Sequence, residues 1–206
     1  MSSASALCEL GSAALCDGGA RWVAGVVLRS GEPFAGQVRT CWVERGDNLA
    51  VQVAVAEASP GEVVVVEVRG GGAEAGVWGE ILAVAASVRD LSGVIVDGAV
   101  RDVGPCDRRG LGVASASVCP VGPTKTGPGG VGGTISISGV SVRPGDWVVA
   151  DLDGVAVVPL EKYVAIFEYA HAKAGREPAM LEGLAAGRTT LELFGLDASP
   201  IRREAS

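Results

Sequence analysis

The chain has 206 residues, 48% of them hydrophobic and 20% charged, with a net charge of −7 at neutral pH. This length suits one domain with a substantial core, and the balance excludes a disordered chain or a coiled coil. The acidic sign argues against nucleic acid as a direct partner, because a phosphate backbone calls for a basic face.

No apolar run reaches the roughly 18–20 residues of a membrane helix. The first residues lack the basic start and apolar segment of a signal peptide. A soluble cytoplasmic protein with no membrane partner is expected. Cys8, Cys16, Cys41, Cys106 and Cys119 are odd in number and lack zinc-like spacing, which predicts reduced thiols. Positive mean hydropathy without a long apolar run predicts surface buried between subunits.

In chain order, residues 5–17 predict a short helix ended by Gly18-Gly19. Residues 22–28 and 35–43 read as strands from their β-branched content. Gly46-Asp47-Asn48 is a turn before a helix over 49–58, where Asp and Asn are favoured caps. Residues 62–68 (EVVVVEV) form a continuous apolar run, which suits a strand buried on both faces.

A glycine run, 70–72, then leads to a helix whose N-terminus falls at 79–82. Ile81, Leu82, Ala85, Ala86 and Val88 supply its apolar face at helical spacing. Val94-Ile95-Val96 is a short buried strand, and Arg101-Asp102 follows just past its end. The helix start offers unpaired N–H groups to an anion. The dipeptide sets a guanidinium for a substrate anion beside an oxygen ligand for a hard metal.

Residues 124–133 are glycine-rich without the spacing of a phosphate-binding loop, so they read as turn with Lys125 solvated. Residues 135–142 alternate as a half-buried strand. Asp153-Gly154 between two apolar runs predicts a hairpin, which accounts for Asp153 as a turn residue rather than a metal ligand. Residues 160–176 predict an amphipathic helix with Leu160, Tyr163, Val164, Phe167, His171 and Ala174 on one side. His171, the only histidine, reads as a packed or interface residue. Glu177-Pro178 breaks that helix before another at 180–186, and the tail after Asp197 reads as loose.

The segments GVWGEILAVAA and GVIVDGAVRD, with GDNLAVQVAVAEASPGEVVVV upstream and GVSVRPGDWVVADLDGVAVVP downstream, resemble the family of 4-hydroxy-4-methyl-2-oxoglutarate aldolases and oxaloacetate decarboxylases. That family also contains the regulator of ribonuclease activity A (RraA). The resemblance is strongest over residues 20–195 within a single domain spanning 1–206. It implies an α/β, layered β/β/α swivelling-type RraA-like fold and a trimer or trimer-based homo-oligomer. It also implies that Asp47 and Asn48 wall an active site, against their plain reading as caps. Glu177 matches a family glutamate that reaches a neighbouring subunit's site, against its reading as an exposed carboxylate near a helix start.

The implied activity is divalent-metal-dependent C–C cleavage of a small 2-oxo acid, by retro-aldol cleavage or decarboxylation through a pyruvate enolate. Backbone N–H groups of Gly79, Glu80, Ile81 and Leu82 would hold the substrate carboxylate. Arg101 and a Mg²⁺ or Mn²⁺ ion on Asp102 would stabilise charge on the 2-oxo oxygen, with Glu80 and Glu177 holding metal-bound waters. Lys125 and Lys173 lack the buried setting of a Schiff-base lysine. Pro105 stands where aldolase-type members carry an acidic residue, and the nearest carboxylate is Asp107. Two rival readings follow: a non-catalytic protein-binding regulator of the ribonuclease-regulator type, and a metal enzyme with a specialised biosynthetic substrate.

Overall fold

Valine-rich segments set the architecture, since β-branched side chains suit the pleated backbone and a run without a polar face must be covered on both sides. The computed structural model describes residues 3–202, so both ends of the expected 1–206 domain, including the last four residues of the tail, lie outside the described residues. The chain opens with α1 (Ser3–Asp17), β1 (Arg21–Val23), β2 (Val27–Ser30) and β3 (Phe34–Glu44), followed by α2 (Leu49–Glu57) and β4 (Val63–Arg69). Next come β5 (Gly76–Trp78), α3 (Glu80–Val88), β6 (Gly93–Val100), α4 (Val103–Arg108), β7 (Gly112–Val118) and β8 (Gly129–Val131). A hairpin of β9 (Ile135–Ile137) and β10 (Val140–Val142) precedes β11 (Trp147–Asp151) and β12 (Gly154–Val158). A 3-10 turn (Leu160–Lys162), α5 (Tyr163–Ala174), α6 (Glu177–Ala185) and α7 (Thr190–Phe194) complete the described chain.

The main sheet runs β1-β12-β11-β3-β4-β6-β7-β2, with β5 added to β6 and β8 to β3. Its centre, β3-β4-β6-β7, is parallel, and its outer strands are antiparallel. β3 belongs to both parts: its first residues pair with β11 and its later ones with β4.

Period-2 alternation along β4 divides the core. Val64, Val66 and Val68 face a cluster with α2 and α3. Val63 and Val65 face a second cluster with β1, β11, β12 and the β9–β10 hairpin. The outer side of that second layer, at Ala35, Val149 and Val158, lies under α1 and α5. The result is the expected β/β/α layering with an added helical cover. Val63, Val64, Val65 and Val66 are each fully buried, and each contributes about 1.5–3 kcal/mol of transfer free energy.

Several segments differ from the sequence reading. Residues 22–28 form two strands, not one, because Gly25 turns the chain at φ 76°. Residues 135–142 form a hairpin, because Ser138 and Gly139 both take positive φ (44° and 80°), as a type I′ turn requires. On α3, Leu82, Ala83 and Ala86 are buried, whereas Ile81 and Val88 are exposed. On α5 the buried line is Ile166 and Ala170, with Val164 exposed, as is Leu160 in the 3-10 turn before it. β5, α4, β7 and β8 had no counterpart in the sequence reading.

Other features agree with it. Asp151 accepts from the N–H groups of Asp153 and Gly154 (3.0 and 3.3 Å), as a turn-closing residue does. It also accepts from Ser12 N–H and Oγ–H (2.6 and 2.7 Å), capping the half of α1 that follows a kink at Gly11.

Candidate functional site

The site forms where β6 ends. β5 pairs with β6 so that Trp78 lies beside Val100, and Arg101 N–H donates to Trp78 O at 2.8 Å. This fixes the Arg101 backbone against the chain that enters α3. Asp102 then adopts the left-handed region (φ 53°, ψ 38°), and its carbonyl accepts the first bond of α4, from Cys106 N–H at 2.8 Å. A non-glycine residue held there is strained, a feature common at functional positions.

α3 begins directly against this pair. Glu80 N–H donates to Asp102 Oδ2 at 3.2 Å, and Arg101 Nε lies 3.6 Å from the same oxygen. The approach demands glycine at position 79: a Cβ there would lie 2.6 Å from Asp102 Oδ2 and 3.0 Å from Arg101 Cγ. Both charged side chains stay partly open to solvent, at 35% and 42% exposure. One N–H of the helix start is thus used within the protein. Those of Ile81 and Leu82, also in the first turn, have no partner among the described residues.

A cavity of about 100 Å³ opens here, lined by Arg101, Lys125, Asn48, Gln52, Gly79 and Leu82, with Gly76, Trp78, Ile81 and Pro123. Two cations and a helix N-terminus around so small a volume suit a small anion. Two of the lining residues carry a buried polar atom with no partner among the described residues: Trp78 Nε1 and Asn48 Oδ1. An unsatisfied buried group costs about 1–3 kcal/mol, which a ligand or water reaching either atom would recover.

Asn48 therefore belongs to the wall and not to a cap. It occupies the N-cap position of α2 but makes no capping bond, and its Nδ2 donates to Val77 O at 2.9 Å. Asp47 does reach the helix start, through Leu49 N–H at 2.8 Å. Lys125 is solvent-exposed as expected, yet it also lines the cavity. Sequence reasoning missed that role, along with that of Gln52.

The remaining expected residues are placed as follows. The Glu80 carboxylate is engaged by Arg109 Nη2 at 2.9 Å. Glu177 starts α6, 3.5 Å from Lys173 Nζ, and lines a different cavity with Tyr169, Met180 and Leu181. Within one chain it is not among the residues around Arg101. Pro105 sits in the first turn of α4, where its missing N–H has no helical partner to lose. Asp107 accepts from Gly31 N–H at 3.0 Å. His171 stacks on Phe167, centroids 6.0 Å apart, on α5. Cys106 is buried, and burial together with Asp102 and Glu80 pushes its thiol up to about 11, the opposite of an activated nucleophile.

The donor set also bears on a metal. Among the described residues no group of three or more His, Cys, Asp or Glu side chains could hold one. Asp102 remains as a single carboxylate with one oxygen unengaged by hydrogen bonds, a set compatible with Mg²⁺ or Mn²⁺, which keep several waters.

The fold and this cavity define a layered α/β protein with a small cavity, lined by two cationic residues, at a strand end. The chain belongs to the RraA-like family (Aldolase/RraA), whose model matches residues 12–157. A Halalkalibacterium halodurans protein named "Putative 4-hydroxy-4-methyl-2-oxoglutarate aldolase" is 34% identical over 169 residues, 80% of each chain. The RNA-processing inhibitor RraA of Thermus thermophilus superposes with a TM-score of 0.67 at 30% identity, covering 72% of this chain and 92% of that one. Streptomyces coelicolor RraAS2, described as an unusual member of the RNase ES inhibitor RraA family, gives 0.73 at 25% identity, covering 85% and 93%. Among the described residues no helix is long and apolar enough to cross a membrane.

Proposed function

We propose that the protein is a divalent-metal-dependent C–C lyase acting on a small 2-oxo acid. The observation that carries this reading is that Arg101 and Lys125 line one small cavity at the N-terminus of α3, with Asp102 bonded to Glu80 N–H and beside Arg101. The substrate's 1-carboxylate is received by the N–H groups of Ile81 and Leu82, with the helix dipole favouring its charge. Arg101 faces the 2-oxo oxygen, where negative charge accumulates as the C3–C4 bond breaks and its electron pair passes to C3. In an aldol substrate Lys125 holds the second carboxylate, which the departing fragment keeps, and Asn48 and Gln52 supply neutral polar contacts. A divalent ion carried by Asp102 would add Lewis-acid stabilisation of the same developing charge. Solvent returns a proton to C3 of the pyruvate enolate.

Decarboxylation of oxaloacetate asks least of these residues, since loss of CO₂ needs no base. Retro-aldol cleavage must also remove a hydroxyl proton, and neither Pro105 nor the remote His171 provides a group for it. Glu177 enters the reading as a contribution from a neighbouring subunit in a trimer-based assembly. The exposed Ile81, Val84 and Val88 of α3, with Leu49 and Val53 of α2, supply an apolar surface for such an assembly.

The test is pyruvate release from oxaloacetate and from 4-hydroxy-4-methyl-2-oxoglutarate, with and without Mg²⁺ or Mn²⁺, beside Arg101→Ala and Asp102→Asn. Metal-dependent release lost in both variants is expected. Release no greater than that of metal alone would remove the lyase reading. The second reading, a protein-binding regulator, is supported by Pro105 in place of an acidic residue and by the acidic net charge. A partner ribonuclease bound equally by wild type and Arg101→Ala would favour it.

A further inference from the structure

The turn before α2 and the loop carrying Lys125 are 77 to 80 residues apart in sequence, yet they are joined around one carboxylate. Asp47 Oδ2 accepts from Thr124 Oγ1–H, Thr126 N–H and Gly127 N–H at 2.6, 2.7 and 2.8 Å. Backbone bonds add to this, from Asn48 N–H to Thr124 O and from Thr124 N–H to Gly46 O, at 3.0 and 2.8 Å. Gly127 approaches so closely that a Cβ there would lie 3.0 Å from Asp47 Cβ and Cγ. The residue enclosed by these contacts is Lys125, which lines the same cavity and whose own side chain makes no hydrogen bond or ion pair among the described residues. A long side chain on a glycine-rich loop has no reason to stay at a cavity unless its backbone is held.

We propose that Asp47 is a positioning residue that folds residues 124–127 around one oxygen and so holds Lys125 where it receives the second carboxylate of a dicarboxylate ligand. This rests on the reading of the cavity as a 2-oxo acid site, and it adds a residue that touches no substrate. Asp47 is nearly fully buried. Burial opposes its ionisation, but the bonds from Thr124, Leu49, Gly127 and Thr126 outweigh it, so the accepting carboxylate persists at all working pH values.

A double-mutant cycle tests this by calorimetry, with succinate as the dicarboxylate probe and butyrate as its monoanionic counterpart. Lys125→Met should weaken succinate binding about tenfold and leave butyrate nearly unchanged. Asp47→Asn, which turns one of the two accepting oxygens into an N–H₂ donor and removes the charge, should give a similar loss and faster amide exchange at Thr126 and Gly127. The double variant should be no weaker than Lys125→Met alone, because Asp47 acts through Lys125. Losses that multiply, a wild type indifferent between the two probes, or Asp47→Asn with wild-type affinity would each overturn the assignment. Should Asp47→Asn not fold, Thr124→Val, which removes one donor to the same oxygen, takes its place in the cycle. Pyruvate release is a separate readout. Non-additive succinate binding without release would remove the lyase reading and keep Asp47, whereas release with multiplying losses would do the reverse.

Discussion

Glu80 N–H and Asp102 Oδ2, 3.2 Å apart, tie the first residue of α3 to the residue that follows Arg101. Asp102 thus caps one helix from outside it while opening α4 with its own carbonyl. The capping role and the charge are separable. Asn keeps an acceptor oxygen for Glu80 and tolerates the left-handed backbone, whereas Ala does neither. Asp102→Asn is therefore expected to melt close to wild type while metal-dependent activity falls about a hundredfold or more. Asp102→Ala should lose the same activity and about 1–2 kcal/mol of stability in addition. Thermal melts beside pyruvate release separate the two effects, and an active Asp102→Asn would show that the carboxylate charge is not needed.

Gly79 is required by contact, not by conformation, since its φ of −164° is extended backbone open to any residue. The Cβ of Gly79→Ala would press on Asp102 Oδ2 and Arg101 Cγ together. The expected result is a loss of about a hundredfold in kcat/KM from displaced charges, with a stability cost of about 1–3 kcal/mol. Steady-state kinetics beside urea unfolding would check it. Unchanged kinetics would mean that the pair can shift without consequence for function.

How much of this site was legible in the sequence depended on distance along the chain. Gly79–Leu82 and Arg101-Asp102 flank one helix and one strand, so local patterns placed them together. Lys125 and Asn48 come to one cavity through side-chain and backbone bonds that close a gap of 77 residues between Asp47 and Thr124, and no local pattern encodes that closure. β7 escaped notice because its sequence, GVASASV, is small and polar; it is buried by lying between β6 and β2, not by its own hydrophobicity. The alternation of 135–142 continues through its turn, so period 2 alone did not separate a strand from a hairpin. On α3 Leu82 and Ala86 lie on the buried face, as the helical spacing predicts, but Ile81 and Val88 do not. The small Ala83 and Ala86 pack inward, leaving Ile81 and Val88 on the outer surface.

The thiols offer a check on the environment of the site. Cys41 is fully buried, and burial pushes its thiol up to about 12. Cys106 stands at about 11 for the reasons of burial and nearby carboxylates given above. At about pH 8 both remain protonated and shielded, so Ellman's reagent should leave them unmodified in the folded protein and react with all five cysteines in guanidinium. Rapid native labelling of Cys106 would indicate that α4 opens readily, exposing the strand end that carries Arg101.

Asp47 predicts how stability responds to acid. Its carboxyl is buried, which alone would raise its pKa, but the four donors from Thr124, Leu49, Gly127 and Thr126 hold it down to about 2. The ordinary unfolded value is about 3.9. A folded pKa below the unfolded one means that the unfolded chain binds the proton first as pH falls. The stabilisation is therefore complete above about pH 4 and is lost between about pH 4 and pH 2, on the order of 2 kcal/mol in all. Asp47→Asn lacks this contribution at every pH. Urea unfolding of the two proteins should show wild type more stable near neutrality, with the gap closing by about pH 2 as Asp47 takes up its proton. A gap that stayed constant across this range would assign the stabilisation to shape and neutral hydrogen bonding, and would remove the charged carboxylate as the group that holds the Lys125 loop.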